Sequence, residues 1–263
     1  MTPLLALVRK ELASLFGSTT AYLTLTAVAL VTALIFFEHL RAYHQILFVY
    51  ASTNMGGFDS GAIPDYVNLW DTVFFPVMDA LGLTLVGVVP LVTMRVFAEE
   101  RARGTDELLI TTALRPGQIV LGKFAACFAL VALMLAVSFV YPAIAIERGG
   151  LGAGHLAAVF LGLLLLGLGL ASIGLACSAH SGSQLVAAVS GWTAAFVLWD
   201  FGWALPFVDE PVAAALEAIA LRPRYGRLGE GLVVAADVAY FAGLVLVGLA
   251  VAKLSFALRR VRL

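Results

Sequence analysis

Residues able to do chemistry are few in this chain and unevenly placed. It has 16 Lys and Arg and 17 Asp and Glu in 263 residues, while 62% of positions are apolar. The densest run of charge is RVFAEERARGTDELLITTALRPGQIVLGK, Arg95 to Lys123. Its acids and bases are interspersed, so it suits ion pairing with a partner surface or with itself rather than a field of one sign. Elsewhere stand three isolated aspartates, Asp79, Asp200 and Asp237, and His180 in the polar run Ser178-Ala179-His180-Ser181-Gly182-Ser183. The run reads as a turn and His180 as a loop residue. None of these groups is spaced as a Ser–His–Asp or paired-carboxylate arrangement, so the chain reads as a non-enzyme. Cys127 and Cys177 fall in apolar runs without a CxxC pair or a His cluster, and read as small buried hydrophobes rather than a disulfide or metal pair. No GxxxxGK[ST] phosphate loop occurs, and no cofactor site is expected in this chain. A net charge of −1 offers no basic field for nucleic acid.

The elements that must position these groups follow from composition. A mean hydropathy of +0.99 is too apolar for a water-soluble core to be wrapped in polar surface. Six apolar stretches, residues 21–37, 80–97, 124–146, 156–177, 185–205 and 233–254, approach the length that crosses about 30 Å of hydrocarbon. The expected fold is therefore an all-α integral membrane protein of six transmembrane helices forming a single transmembrane domain. The first stretch lacks a small-x-small cleavage site and precedes five more, which argues against a signal peptide. With six spans, eleven of the 16 Lys and Arg lie on the side of the termini and five on the other. That bias places both termini in the cytoplasm and the three aspartates near outer ends. Interfacial placement or helix capping is the plainer role for those aspartates.

Three stretches outside the spans have their own patterns. Leu4, Leu5, Val8, Leu12, Leu15 and Phe16 share one helical face while Arg9 and Lys10 lie off it, so an amphipathic helix at the cytoplasmic headgroup layer is expected. Residues 38–71, with Gly56, Gly57, Gly61 and Pro64, read as an outer loop with short helices. Asp209, Glu210 and Pro211 start a helix that runs to Leu221, too short to span, and read as an outer interfacial or re-entrant helix. Pro76 and Pro90 are positioned to kink the second span, and Pro142 the third. Gly162, Gly167, Gly169 and Gly174 in the fourth allow close helix packing or a sliding surface.

The charged segment itself reads as an elbow. Phe97 to Arg103 extends the second span as a polar helix, and Gly104 breaks it. Thr105 caps a new helix with Asp106 and Glu107 at its positive end, and Arg115-Pro116-Gly117 turns into the third span. On physical grounds this is either an ordinary solvated loop or a stiff charged helix that docks a cytoplasmic partner.

The run FAEERARGTDELLITTALRPGQIVLGKF resembles the corresponding region of ABC-2-type transporter permeases, in particular the gliding-motility and nitrous-oxide-maturation branch. Phe97, Ala98, Glu99, Glu100, Gly104, Thr105, Glu107, Leu108, Leu109, Thr111 and Ile119 to Lys123 fit its pattern. Val8-Arg9-Lys10-Glu11-Leu12 is similar to the family's opening. Arg101 replaces a commoner Lys, and Pro116 falls later than usual. The resemblance implies a permease subunit, an exporter, in the inner membrane of a bacterial cell. ATP and Mg would be bound by a separate cytoplasmic ABC ATPase. A second permease chain, as a homodimer or related heterodimer, and membrane lipid complete the implied partners. It further implies an ATPase-docking coupling elbow made of Glu99, Glu100, Arg101, Arg103, Gly104, Thr105, Asp106 and Glu107, with Arg9, Lys10 and Glu11 on the interfacial helix. An ATPase-independent transporter, for which paired midplane charges and broken helices would be wanted, and a membrane scaffold for a partner complex are the other classes.

Overall fold

The computed structural model describes residues 3–55, 67–105, 114–141, 143 and 152–262. Every element among them is helical. We label them α1 (Pro3–Phe16), α2 (Thr19–Met55), α3 (Phe75–Thr93, after a π-turn at Trp70–Phe74), α4 (Arg95–Ala102), α5 (Pro116–Ser138) and α6 (Ala153–His180). After these come α7 (Gln184–Trp199), α8 (Glu210–Ile219, after a 3₁₀ turn at Leu205–Phe207), α9 (Leu221–Gly229) and α10 (Ala235–Arg262). Among the described residues five segments are long and apolar enough to cross a membrane: Thr19–Ser52, Trp70–Ala102, Pro116–Ser138, Gly154–His180 and Ala235–Arg259. The apolar helix α7 has only 16 residues, about 24 Å at 1.5 Å per residue.

Side-chain contacts define two ends of the bundle. At the near end Arg95 reaches Thr20 at 2.9 Å, Ser255 bonds the Ala179 carbonyl at 2.8 Å, and Phe256 lies against Phe97. Leu4 and Leu7 of α1 lie against Gly122 at the same end. At the far end Trp70 packs on His155 and Phe139 on Phe160. The helix α7 leaves the near end, where the Ser181 carbonyl accepts from Arg101. It arrives at the far end, where Asp200 meets Arg222 at 2.9 Å. Among the described residues the chain thus passes between the ends six times, and α1 shares an end with the last turns of α10.

The helix α6 is the centre of this arrangement, and its glycines explain how so many neighbours reach it. A Cβ on Gly162 would strike Leu228 of α9, on Gly167 Val131 of α5, on Gly169 Leu244 of α10 and on Gly174 Thr93 of α3. Each bare glycine admits a different helix at close range. These contacts are tight packing positions in the structure. The faces of α2, α7 and α10 turned away from α6 expose large apolar side chains, among them Leu30, Leu34, Phe196, Leu246 and Leu254. Lipid is the natural solvent for such faces.

Several expected boundaries move. Residues 38–55 are not a loop: α2 continues to Met55, because Glu38, Arg41 and Gln45 end the apolar pattern without breaking a helix. The second span begins at Trp70 rather than residue 80 and runs to Ala102, interrupted at Met94, four residues after Pro90. The third begins at Pro116, not residue 124, and its helix ends at Ser138, short of residue 146. Pro142 lies outside the described residues. The fifth ends at Trp199 rather than 205, where Asp200 turns extended. The last runs from Ala235 to Arg262 rather than 233–254. His180 is the last residue of α6, not a loop residue. The expected outer helix divides at Ala220, because Pro223 has no N–H to continue α8 and fits instead in the first turn of α9.

Candidate functional site

The charged segment is built around a break in the helix. After Met94 the chain turns into α4, and the interruption leaves backbone groups without helical partners. Ser178 of α6, fully buried, supplies them: its hydroxyl donates to the Met94 carbonyl at 2.9 Å and accepts from the N–H groups of Phe97 and Ala98, each at 3.1 Å. Arg101 then donates to the carbonyls of Ala179, at 2.7 Å, and Ser181. These carbonyls close the C-terminus of α6, the negative end of its dipole. So α4 is fastened to α6 along one side.

The end of α4 is a Schellman cap. The Thr105 N–H bonds the Glu100 carbonyl at 2.9 Å and the Gly104 N–H bonds that of Arg101 at 3.1 Å. This closure places Gly104 at φ +68, where a Cβ is disfavoured. Beyond it, Asp106 and Glu107 lie outside the described residues, as does the helix expected after Thr105. The chain returns at Leu114. Arg115 is extended, Gln118 caps its N–H at 3.0 Å, and Pro116 opens α5.

Lys123, about two turns into α5, is completely buried. Its Nζ lies 2.8 Å from Glu100, 3.2 Å from Glu11 and 2.8 Å from the Val96 carbonyl. The Phe97 ring sits 5.1 Å from the same nitrogen. One ammonium between two carboxylates leaves an excess negative charge, and Lys10 offsets it. Its Nζ is 2.8 Å from Glu100 and 3.0 Å from Glu11. Partial burial opposes the Lys10 charge, but the Glu100 hydrogen bond and the two carboxylates outweigh it, and its pKa is raised. The four charges sum to zero and tie α1, α4 and α5 at one point. A buried ion without its partner would cost several kcal/mol.

The expected docking and interfacial-helix residues therefore divide. Glu100, Arg101 and Glu11 are turned inward and occupied by the protein's own groups, while Lys10 pairs with both carboxylates from an exposed position. Glu99 and Arg103 pair with each other at 2.6 Å on the outer side, where Arg103 is 71% exposed. Thr105 and Arg9 are also exposed. The N-terminal helix packs on the bundle through Leu7 and Glu11, a stripe offset from the apolar face read from sequence, and leaves Leu5 uncovered. The pairing roles of Lys123, Ser178 and Glu11 are not legible in their sequence positions. One signal was present: Glu11 continues the stripe Leu4, Leu7, and a carboxylate on an apolar stripe requires a buried cation. Between α1 and α4 lies an open groove of about 600 Å³, bordered by this charge cluster and by Arg95 and Leu15.

The three aspartates converge at the far end on α9. Arg222 meets Asp200 at 2.9 Å and Asp79 at 3.7 Å. Arg224 and Arg227 hold the buried Asp237 at 3.3 and 2.5 Å. Tyr225 is buried between them, and its hydroxyl donates to the Met78 carbonyl at 2.5 Å. The helix α9 thereby joins α3, the end of α7 and the start of α10. The sequence places these aspartates near this end, but nothing in it pairs them with the arginines of α9.

A family model described as ABC-2 family transporter protein matches residues 62–201. That range is just over half of the chain and contains α3 to α7, with Glu99, Glu100, Lys123 and Ser178. No curated protein matches the chain.

Proposed function

The chain belongs to the ABC-2 family of transporter proteins, as a multi-pass membrane permease of an ABC transporter, and from this premise we propose that α4 and the elbow after it receive the stroke of a separate cytoplasmic ATPase. The family implies an ATPase partner. The observation that carries the proposal is the connection behind α4. Glu100 ties it to α1 and α5 through Lys123, and Arg101 and Ser178 tie it to α6. A push on the elbow would reach four helices as one body, the kind of rigid displacement that opens a bundle.

In this reading the near end faces the cytoplasm, all six passes cross the bacterial inner membrane, and α7 spans with local thinning of the bilayer. Two permease chains pair, and cargo moves outward. ATP and Mg belong to the ATPase subunits, and this chain catalyses nothing itself. Glu99 and Arg103 form the outward contact, with Asp106 and Glu107 beside them in sequence, while Glu100 and Arg101 are the internal brace.

Charge reversal separates the two roles. Glu99→Lys should leave the purified permease folded while reducing copurification of the ATPase, or its stimulation by the permease, at least tenfold. A Glu99→Lys, Arg103→Glu exchange should restore the local pair without restoring the partner contact. If Glu99→Lys left both assembly and stimulation at the level of the native protein, the docking reading would be lost.

A further inference from the structure

The groove between α1 and α4 has a charge left over. Among the described residues that line it, Lys10, Lys123, Glu11 and Glu100 sum to zero, and Glu99 is matched by Arg103. Arg95 remains. It is half-buried, its Nη1 donates to Thr20 at 2.9 Å, and no described carboxylate lies within 4.0 Å of it. Its Nε is shielded from water and has no hydrogen-bond acceptor among the described residues. The shielded Nε is out of reach from the groove, but the guanidinium on its wall is an unmatched cation, and charge-assisted hydrogen bonds from arginine to phosphate are strong.

The rest of the lining states what kind of anion. Leu7, Leu15, Val96 and Leu114 make the groove mostly apolar. The guanidinium is level with Thr20, the second residue of the first spanning helix, which is the depth of the headgroup boundary. A free anion would leave the apolar walls wet. A phosphate diester carrying acyl chains satisfies both. We infer that the groove binds one anionic phospholipid, its phosphate on Arg95 and its first chain segment along Leu7 and Leu15. The lipid would wedge the interfacial helix against α4 and complete the charge balance behind the elbow.

The test uses the full-length permease without its ATPase, in mixed micelles of equal phosphatidylglycerol and phosphatidylcholine, with bound lipid counted by native mass spectrometry. The native chain should retain phosphatidylglycerol at least tenfold over phosphatidylcholine. Arg95→Gln should lose that preference, and Arg9→Gln, on the exposed face of α1, should keep it. Leu15→Trp, which fills the groove and preserves the charge, should also reduce retention, so that a folding failure of Arg95→Gln does not decide the matter. Equal retention of the two lipids, or unchanged preference in both groove variants, overturns the inference. So does full displacement by millimolar glycerol 1-phosphate, which would assign the site to a soluble phosphate instead of a lipid. Because no ATPase is present, failure here leaves the docking reading untouched.

Discussion

At the residue scale the decisive group is Lys123. Its side chain has no solvent exposure and three close oxygen partners, so its removal leaves Glu11 and Glu100 side by side with only the exposed Lys10 between them. Breaking a buried pair by removing one partner costs about 3–5 kcal/mol, whereas neutralising the whole group is often tolerated. Lys123→Met should therefore lower the thermal unfolding temperature of the purified chain strongly. Adding Glu11→Gln and Glu100→Gln to it should recover much of the loss. Equal melting of Lys123→Met and the native chain would show that the carboxylates are not held as charges. Asp200 offers a contrasting case at the other end. The Gly202 N–H and the Arg222 guanidinium hold its carboxyl below the ordinary range. A depressed carboxyl pKa contributes stability that is fully present above the unfolded value of about 3.9 and is lost as pH falls through the folded value. The far-end joint should thus loosen only below about pH 4, on the same unfolded-state pKa. Fluorescence of Trp199 and Trp203 on acidification reads this, and Asp200→Asn should shift the response to an already loosened baseline at neutral pH. A native acid transition that survives unchanged in Asp200→Asn would assign it to another group.

At the element scale the elbow depends on how α4 stops. Gly104 at φ +68 lets the Schellman bonds form, and a Cβ there costs about 1–2 kcal/mol. Gly104→Ala should weaken ATPase stimulation more than Gly104→Asn, since Asn tolerates the left-handed region. Equal activity of the two variants and the native chain would mean the cap geometry is dispensable. This break was legible in sequence, because glycine after a polar helical run has few other meanings. So was the start of α8 at Asp209-Glu210-Pro211, whereas Arg115-Pro116-Gly117 reads as a turn and is in fact the start of α5. The lengths of α2 and α5 were not. Boundaries were drawn where apolar residues gave way to charge, yet a helix ends only where its backbone is broken. Glu38 did not break α2, and Lys123 did not mark the membrane surface because its charge is neutralised inside the protein. Partners from distant segments, such as Ser178 against Met94 or Arg222 against Asp79, carry no local pattern. They become visible only when six passes bring residues about 80 to 140 positions apart together.

At the scale of the whole molecule, the fold makes a claim about topology that span length alone does not. By length and apolarity five segments cross, which would put the termini on opposite sides of the membrane. The contacts put α1 and Phe256 at one end, and in the proposed topology α7 is therefore a crossing despite its 16 residues. The turns that follow α7 expose Trp203 at 75% and Phe207 at 85%, which suits an aromatic belt beside a short crossing helix. Single cysteines decide it, in a chain with Cys127→Ser and Cys177→Ser. Ser183→Cys, before α7, should be protected from an impermeant maleimide added outside intact cells and should react after the membrane is opened. Gly202→Cys, after α7, should react from outside. A reporter fused after Leu263 should behave as cytoplasmic, together with one fused before Met1. If Ser183→Cys and Gly202→Cys reacted from the same side, α7 would be a dipping segment. One of the two chain ends would then have to reach across the bilayer, and the shared anchoring of α1, α4 and α10 that makes the elbow a lever would not survive.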